Sequence, residues 1–272
     1  MDIKFERYTF DKRLKSMLKV DFRRMFTAKL FYIMLGISFV VPILILVMTT
    51  MMGGSVSVNP QTGEETVIEA FDSAWQIIGT VSSENSSTDT SGMSMDMMNM
   101  CNINLLYFGV AALVCIFTAE DFRSGYAKNL FTVRAKKTDY VISKTVVCSI
   151  CGMITVLAFF IGTLLGGAIA GLPFEMVGFN AGNLMMCLLA KMLLIWVFVP
   201  IYLLMSVIAK QKAWLSILLS LMVGMFLFMM IPMLSPLNAT AMNVLLCIVG
   251  GIVIGTGLGA ISNQVLKKTS LV

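Results

Sequence analysis

Long, continuously apolar stretches separated by short polar segments dominate this chain. Six of them, at about residues 30–52, 101–118, 145–170, 183–208, 213–233 and 241–261, come close to the roughly 20 residues that a helix needs to cross a bilayer. Lipid offers no water to unpaired backbone groups, so such runs must be helical. A β-barrel would show short alternating segments instead. Ahead of the first run, Leu14, Met17, Leu18, Phe22, Met25 and Phe26 recur at spacings of three and four, with Lys12, Arg13, Lys15, Lys19, Arg23 and Arg24 on the other faces. This pattern predicts an amphipathic helix lying along a membrane surface. After the first run, Val67, Phe71, Trp75 and Ile78 fall at helical spacing behind Glu64 and Glu65. They predict a short amphipathic helix resting on the outer leaflet or on the spans. From Val81 to Ser94 the chain turns to Ser, Thr, Asn and Asp, as a linker does.

Composition agrees with the pattern. The chain is 58% hydrophobic and 13% charged, with a mean hydropathy of +0.88, outside the range of soluble domains. The basic residues orient it. Nine of the 20 Lys and Arg precede Leu30, six lie between Ala119 and Lys144, two are Lys210 and Lys212, and two are Lys267 and Lys268. The stretch from Gly53 to Asn102 has none and carries seven acids. Cytoplasmic segments are enriched in Lys and Arg, so both termini are expected inside and the loop 53–100 outside. The expected fold class is an all-α integral membrane protein: a cytoplasmic amphipathic interfacial helix over 1–29, then a six-span transmembrane domain over 30–272. The net charge of +5 sits beside lipid headgroups, which favours membrane lipid as a partner and not nucleic acid.

Candidate chemistry is sparse. The chain contains no histidine, which excludes Ser–His triads and HExxH-type metal sites. No Asp or Glu falls within an expected span, so a membrane enzyme with convergent carboxylates is poorly supported. Cys148 and Cys151 form a CxxC without a second pair, and the cluster Met93, Met95, Met97, Met98, Met100 and Cys101 belongs to a chain with 24 methionines. Both read as packing residues and no metal site is expected. Lys191 is the single charge inside an expected span; it either snorkels outward or is paired structurally, the favoured outcomes, or lines a possible substrate path. Pro200, in the same run, predicts a kink. Gly162 and Gly166, and Gly251, Gly255 and Gly259, have the GxxxG spacing that lets helix backbones approach closely, here most simply within one chain.

The segment from Thr118 to Lys144 is the most informative polar stretch. Reversal between two spans takes only a few residues, so a segment of about 25 has something to touch. Its Glu120, Gly125, Leu130 and Phe131, Arg134 and Lys144 follow the order Glu, Gly, apolar pair, basic residue, Lys, which resembles the ABC-2 family of ABC-exporter permease subunits. Val133 stands where that family often has proline. Ser206, followed by Lys210, Gln211, Lys212 and Ala213, adds a second echo at the end of the fourth span.

The resemblance implies a cytoplasmic coupling helix between spans two and three. Glu120, Asp121, Phe122, Arg123, Gly125, Lys128, Leu130, Phe131 and Arg134 would then meet a dimer of cytoplasmic ABC ATPase subunits. It also implies a second permease, identical or a paralogue, and outward movement of a substrate across the cytoplasmic (inner) membrane of a bacterium. No GxxxxGK[ST] loop is present, so the chain is not expected to be an enzyme or to bind a cofactor; ATP and Mg would sit on the ATPase partner. The alternative is a non-transport membrane scaffold or sensor.

Overall fold

The structure is a computed structural model that describes residues 10–53, 56–58, 65–67, 71–81, 102–133, 137–210, 212–228 and 230–268. Among these residues the helices are α1 (Phe10–Thr27), α2 (Lys29–Met52), α3 (Leu106–Arg123), α4 (Tyr126–Val133), α5 (Lys137–Ala170), α6 (Ala181–Ala209), α7 (Ala213–Phe228), α8 (Ile231–Leu234) and α9 (Ala241–Lys268). Five helical segments are long and apolar enough to cross a membrane: α2, α3 with the turn before it, α5, α6 and α9. The protein is therefore a multi-pass helical membrane protein.

The fifth expected crossing, 213–233, is divided. α7 is 16 residues long, short of the roughly 20 that a bilayer takes. Pro232 accounts for the break, since its ring would collide with the carbonyl four residues earlier, that of Phe228, where α7 ends.

α6 is the hub of the bundle. It packs against α3, α5, α7 and α9, and most of it is buried. α2 and α9 lie on the outside, each packed mainly on one neighbour, α5 and α6 respectively, and apolar on their open faces. α2 meets α5 closely because α5 offers glycines there. A Cβ at Gly162 would collide with the Phe39 carbonyl oxygen, and one at Gly166 would lie 2.8 Å from the Ile43 Cα. α5 has 34 residues, about 51 Å of helix at 1.5 Å each, against a hydrocarbon core of about 30 Å. Its first turns, which carry Lys137, Asp139 and Lys144, meet α1.

The opposite end is capped by three irregular stretches. Ala74 N–H donates to the Pro173 carbonyl at 3.1 Å, Trp75 Nε1 to the Phe174 carbonyl at 3.2 Å, and Leu237 N–H to the Thr80 carbonyl at 2.9 Å. The expected amphipathic helix here is not one. Glu65–Val67 is a short strand, β2, paired antiparallel with β1 (Val56–Val58), and only Ala74–Ile77 forms a single 3-10 turn. The apolar residues at helical spacing were there to be buried: Phe71, Trp75 and Ile78 sit in the core against the spans. Trp75 stacks with Phe160 at 6.2 Å. Glu64, the linker residues 82–94 and the methionine cluster lie outside the described residues.

Candidate functional site

The expected coupling segment is shorter than its sequence suggests. Residues 119–123 continue α3 and residues 137–144 begin α5, leaving α4, eight residues long, as the free-standing helix between them. Gly125 makes the corner with φ +75°, in the left-handed region where a side chain is disfavoured. The Ser124 N–H closes the end of α3 on the Glu120 carbonyl at 2.8 Å.

Behind this corner lies a buried charge network. Lys144 Nζ on α5 is 2.7 Å from Asp121 Oδ2 on α3 and 3.0 Å from Asp21 Oδ1 on α1. Arg24, one turn beyond Asp21, reaches Asp121 Oδ1 at 2.6 Å. The Tyr140 hydroxyl donates to Asp121 at 3.0 Å and the Ser143 hydroxyl to Asp21 at 2.6 Å. Asp21, Asp121 and Lys144 are fully buried. Two acids and two bases balance, so no net charge is stranded. Lys144 also sits 3.8 Å from the Phe117 ring centre, and the Arg24 guanidinium 4.0 Å from that of Tyr126, the first residue of α4. Burial works against the Arg24 charge, but Asp121, by charge and hydrogen bond, outweighs it and raises its pKa above the ordinary arginine value. Burial, followed by the charge of Asp21, pushes the Tyr126 phenol up, keeping the ring neutral beneath the guanidinium. A second strap, Arg13 to Asp139 at 3.3 Å, ties α1 to α5 further out.

The coupling candidates divide by exposure. Glu120, Arg123 and Lys128 are exposed, whereas Asp121 and Phe122 are buried and face the bundle. Leu130 and Phe131 are half-buried, packed on the core, with Phe131 edge-on to Tyr140 at 5.3 Å. Arg134 lies outside the described residues. Asp121, expected to face a partner, instead holds the network, because α3 continues straight through it and carries it inward on the face of Phe117 and Phe122.

Asp21, Arg24, Tyr140 and Ser143 were not anticipated at this site. One signal was available: Met17, Asp21 and Met25 lie four apart, so an acid interrupts the apolar stripe of α1.

Lys191 does not snorkel. It is 1% exposed, and its Nζ donates to Asn104 Oδ1 and Ser235 Oγ, both at 3.1 Å. Tyr107 donates to its backbone carbonyl at 2.8 Å. These neutral partners come from the turn before α3 and the segment after α8, so the ammonium pins two elements to α6 instead of reaching water. α6 runs unbroken through Pro200. Cys148 and Cys151 are buried free thiols, and no group of three or more acids and cysteines is placed to hold a metal among the described residues.

No curated protein and no solved structure matches the chain. Residues 17–228, which include α1 from Met17 onward, the charge network and α4, match the family described as ABC-2 family transporter protein. The chain belongs to that family and is a membrane permease component of an ABC transporter.

Proposed function

We propose that the chain is the transmembrane permease subunit of an ATP-driven exporter, pairing with a second permease and with two separate cytoplasmic ATPase subunits that carry ATP and Mg. On this proposal the protein resides in the cytoplasmic membrane of a bacterium, with both termini and α4 inside, as the distribution of Lys and Arg favours. The observation that carries the proposal is α4 itself. It is a short helix on a glycine corner, apolar toward the bundle and polar outward, with its Lys128, and Glu120 and Arg123 on the last turn of α3, exposed to meet another surface.

The charge network explains how a push on α4 would travel. Tyr126 touches Arg24, Arg24 grips Asp121, and Asp121 shares Lys144 with Asp21. A displacement of α4 is thereby resisted by α1, α3 and α5 together, so the helices move as a unit instead of bending locally. Coupling of this kind needs a contiguous set of rigid contacts, which packed ion pairs supply.

Co-expression with an ABC ATPase encoded beside the gene, followed by purification through a tag on this chain, is expected to recover both proteins with ATPase activity. The double substitution R123E/K128E reverses two exposed charges and should abolish co-purification without altering the melting temperature of the permease. Failure of any ATPase to co-purify would overturn the exporter assignment and favour a scaffold or sensor.

A further inference from the structure

The two sets of glycines spaced four apart do different things. Gly162 and Gly166 are pressed against the α2 backbone, as described above. On α9, a Cβ at Gly255 would find its nearest neighbour at 3.9 Å, Pro200 Cγ, and one at Gly259 at 4.0 Å, Val141 Cγ1. A Cβ at Gly251 would lie 3.3 Å from Trp196 Cβ, but side chains would fit at Gly255 and Gly259, so close packing does not require these two glycines. They leave a groove of about 710 Å³ between α5, α6 and α9, a volume typical of small-ligand sites.

The groove is apolar, walled by residues such as Ile142, Val146, Leu193 and Ile252. Two of its threonine hydroxyls are satisfied within their own helices: Thr145 donates to the Val141 carbonyl at 2.9 Å and Thr256 to the Ile252 carbonyl at 2.7 Å. Along α9 it runs from Cys247 to Asn263, about 24 Å at 1.5 Å per residue, parallel to a helix that crosses the hydrocarbon layer. One end is cationic. It lies beside Thr138 and Asn263, where Lys137 Nζ donates to the Leu266 carbonyl at 2.6 Å and Lys267 and Lys268 are exposed on the last turn of α9. The acid of that turn of α5, Asp139, is already engaged by Arg13.

We propose that this groove binds an acyl chain of an anionic glycerophospholipid, with its headgroup phosphate held at Lys137, Lys267 and Lys268. A long apolar slot open to the bilayer fits a chain and nothing polar. The basic end selects among lipids, because basic pockets between membrane helices capture anionic headgroups. On α5 the groove uses Thr138, Val141, Ile142, Thr145 and Val146, none of which belongs to the charge network, and the proposal does not depend on the direction of transport.

Native mass spectrometry of the full-length protein in detergent tests it, with dioleoyl-phosphatidylglycerol and dioleoyl-phosphatidylcholine as separate probes. One phosphatidylglycerol is expected to be retained per chain, in preference to phosphatidylcholine. Gly255→Leu fills the slot and should abolish that adduct; Gly259→Leu serves the same purpose if the first variant does not fold. K267Q/K268Q, at exposed positions, should weaken phosphatidylglycerol binding about tenfold and leave phosphatidylcholine unchanged. Equal retention of the two lipids would overturn the proposal, as would an adduct that survives the leucine substitution. A change from dimer to monomer with the adduct intact would assign the groove to a second copy of the chain and overturn it too.

Discussion

Replacing Lys144 with Met is the sharpest perturbation of the charge network. The change keeps the volume of the side chain and removes its charge. Asp21 and Asp121, both fully buried, would then share only Arg24, which is 2.6 Å from Asp121 and 4.0 Å from Asp21. Asp21 is left as the poorly compensated carboxylate, with the Ser143 hydroxyl as its short hydrogen bond. Breaking one side of a buried pair costs about 3–5 kcal/mol, because the partner's desolvation is no longer repaid. At about 2–4 °C per kcal/mol for a chain of this size, the melting temperature in detergent should fall by about 10 °C. The double variant D21N/K144M restores neutrality, leaving Asp121 with Arg24. It should recover most of the loss, since replacing both members of a buried pair is often close to neutral. Melting followed by size-exclusion fluorescence measures all three proteins. If K144M and D21N/K144M melt together, the loss comes from packing and not from an uncompensated charge, and the network does not hold α1 in place.

Other consequences can be checked separately. Gly166→Leu should lower stability by at least about 1–3 kcal/mol through overpacking against Ile43, while Gly255→Leu is tolerated; equal melting temperatures would contradict the contrast between the two glycine sets. Gly125→Val forces a branched side chain into the left-handed region at a cost of about 1–2 kcal/mol, and ATPase activity of the assembled complex should drop more than complex yield does. Lys191→Cys should resist a membrane-impermeant maleimide applied from either side, since the position is 1% exposed; rapid labelling would show that it lines a water-filled path. The native thiols of Cys115, Cys148, Cys151, Cys187 and Cys247 are all buried and should be equally unreactive until the protein is unfolded.

What the sequence determined by itself is what hydrophobicity and charge determine locally. The membrane helices, the amphipathic α1 and the polar interruption between the second and third spans follow from the period and length of the apolar runs, since lipid allows no other backbone solution. The family resemblance rested on the order of a few residues, and the match over residues 17–228 agrees with it.

Tertiary structure decided which polar residues turn inward. Asp121 and Glu120 are adjacent acids in sequence, yet one is buried against Lys144 and the other is exposed, because a helix turns about 100° per residue and only one of them faces the bundle. Asp21 joins the same cluster from more than 100 residues away, a pairing that no local pattern contains. Lys191 could have snorkelled; instead Asn104 and Ser235 are carried to it by the packing of α3 and the segment after α8 on α6. The glycines make the point most directly. Identical spacing gives backbone contact at Gly162 and Gly166 on α5 and an open slot at Gly255 and Gly259 on α9, because the spacing fixes which face the glycines share, and only the neighbouring helix fixes whether that face is covered.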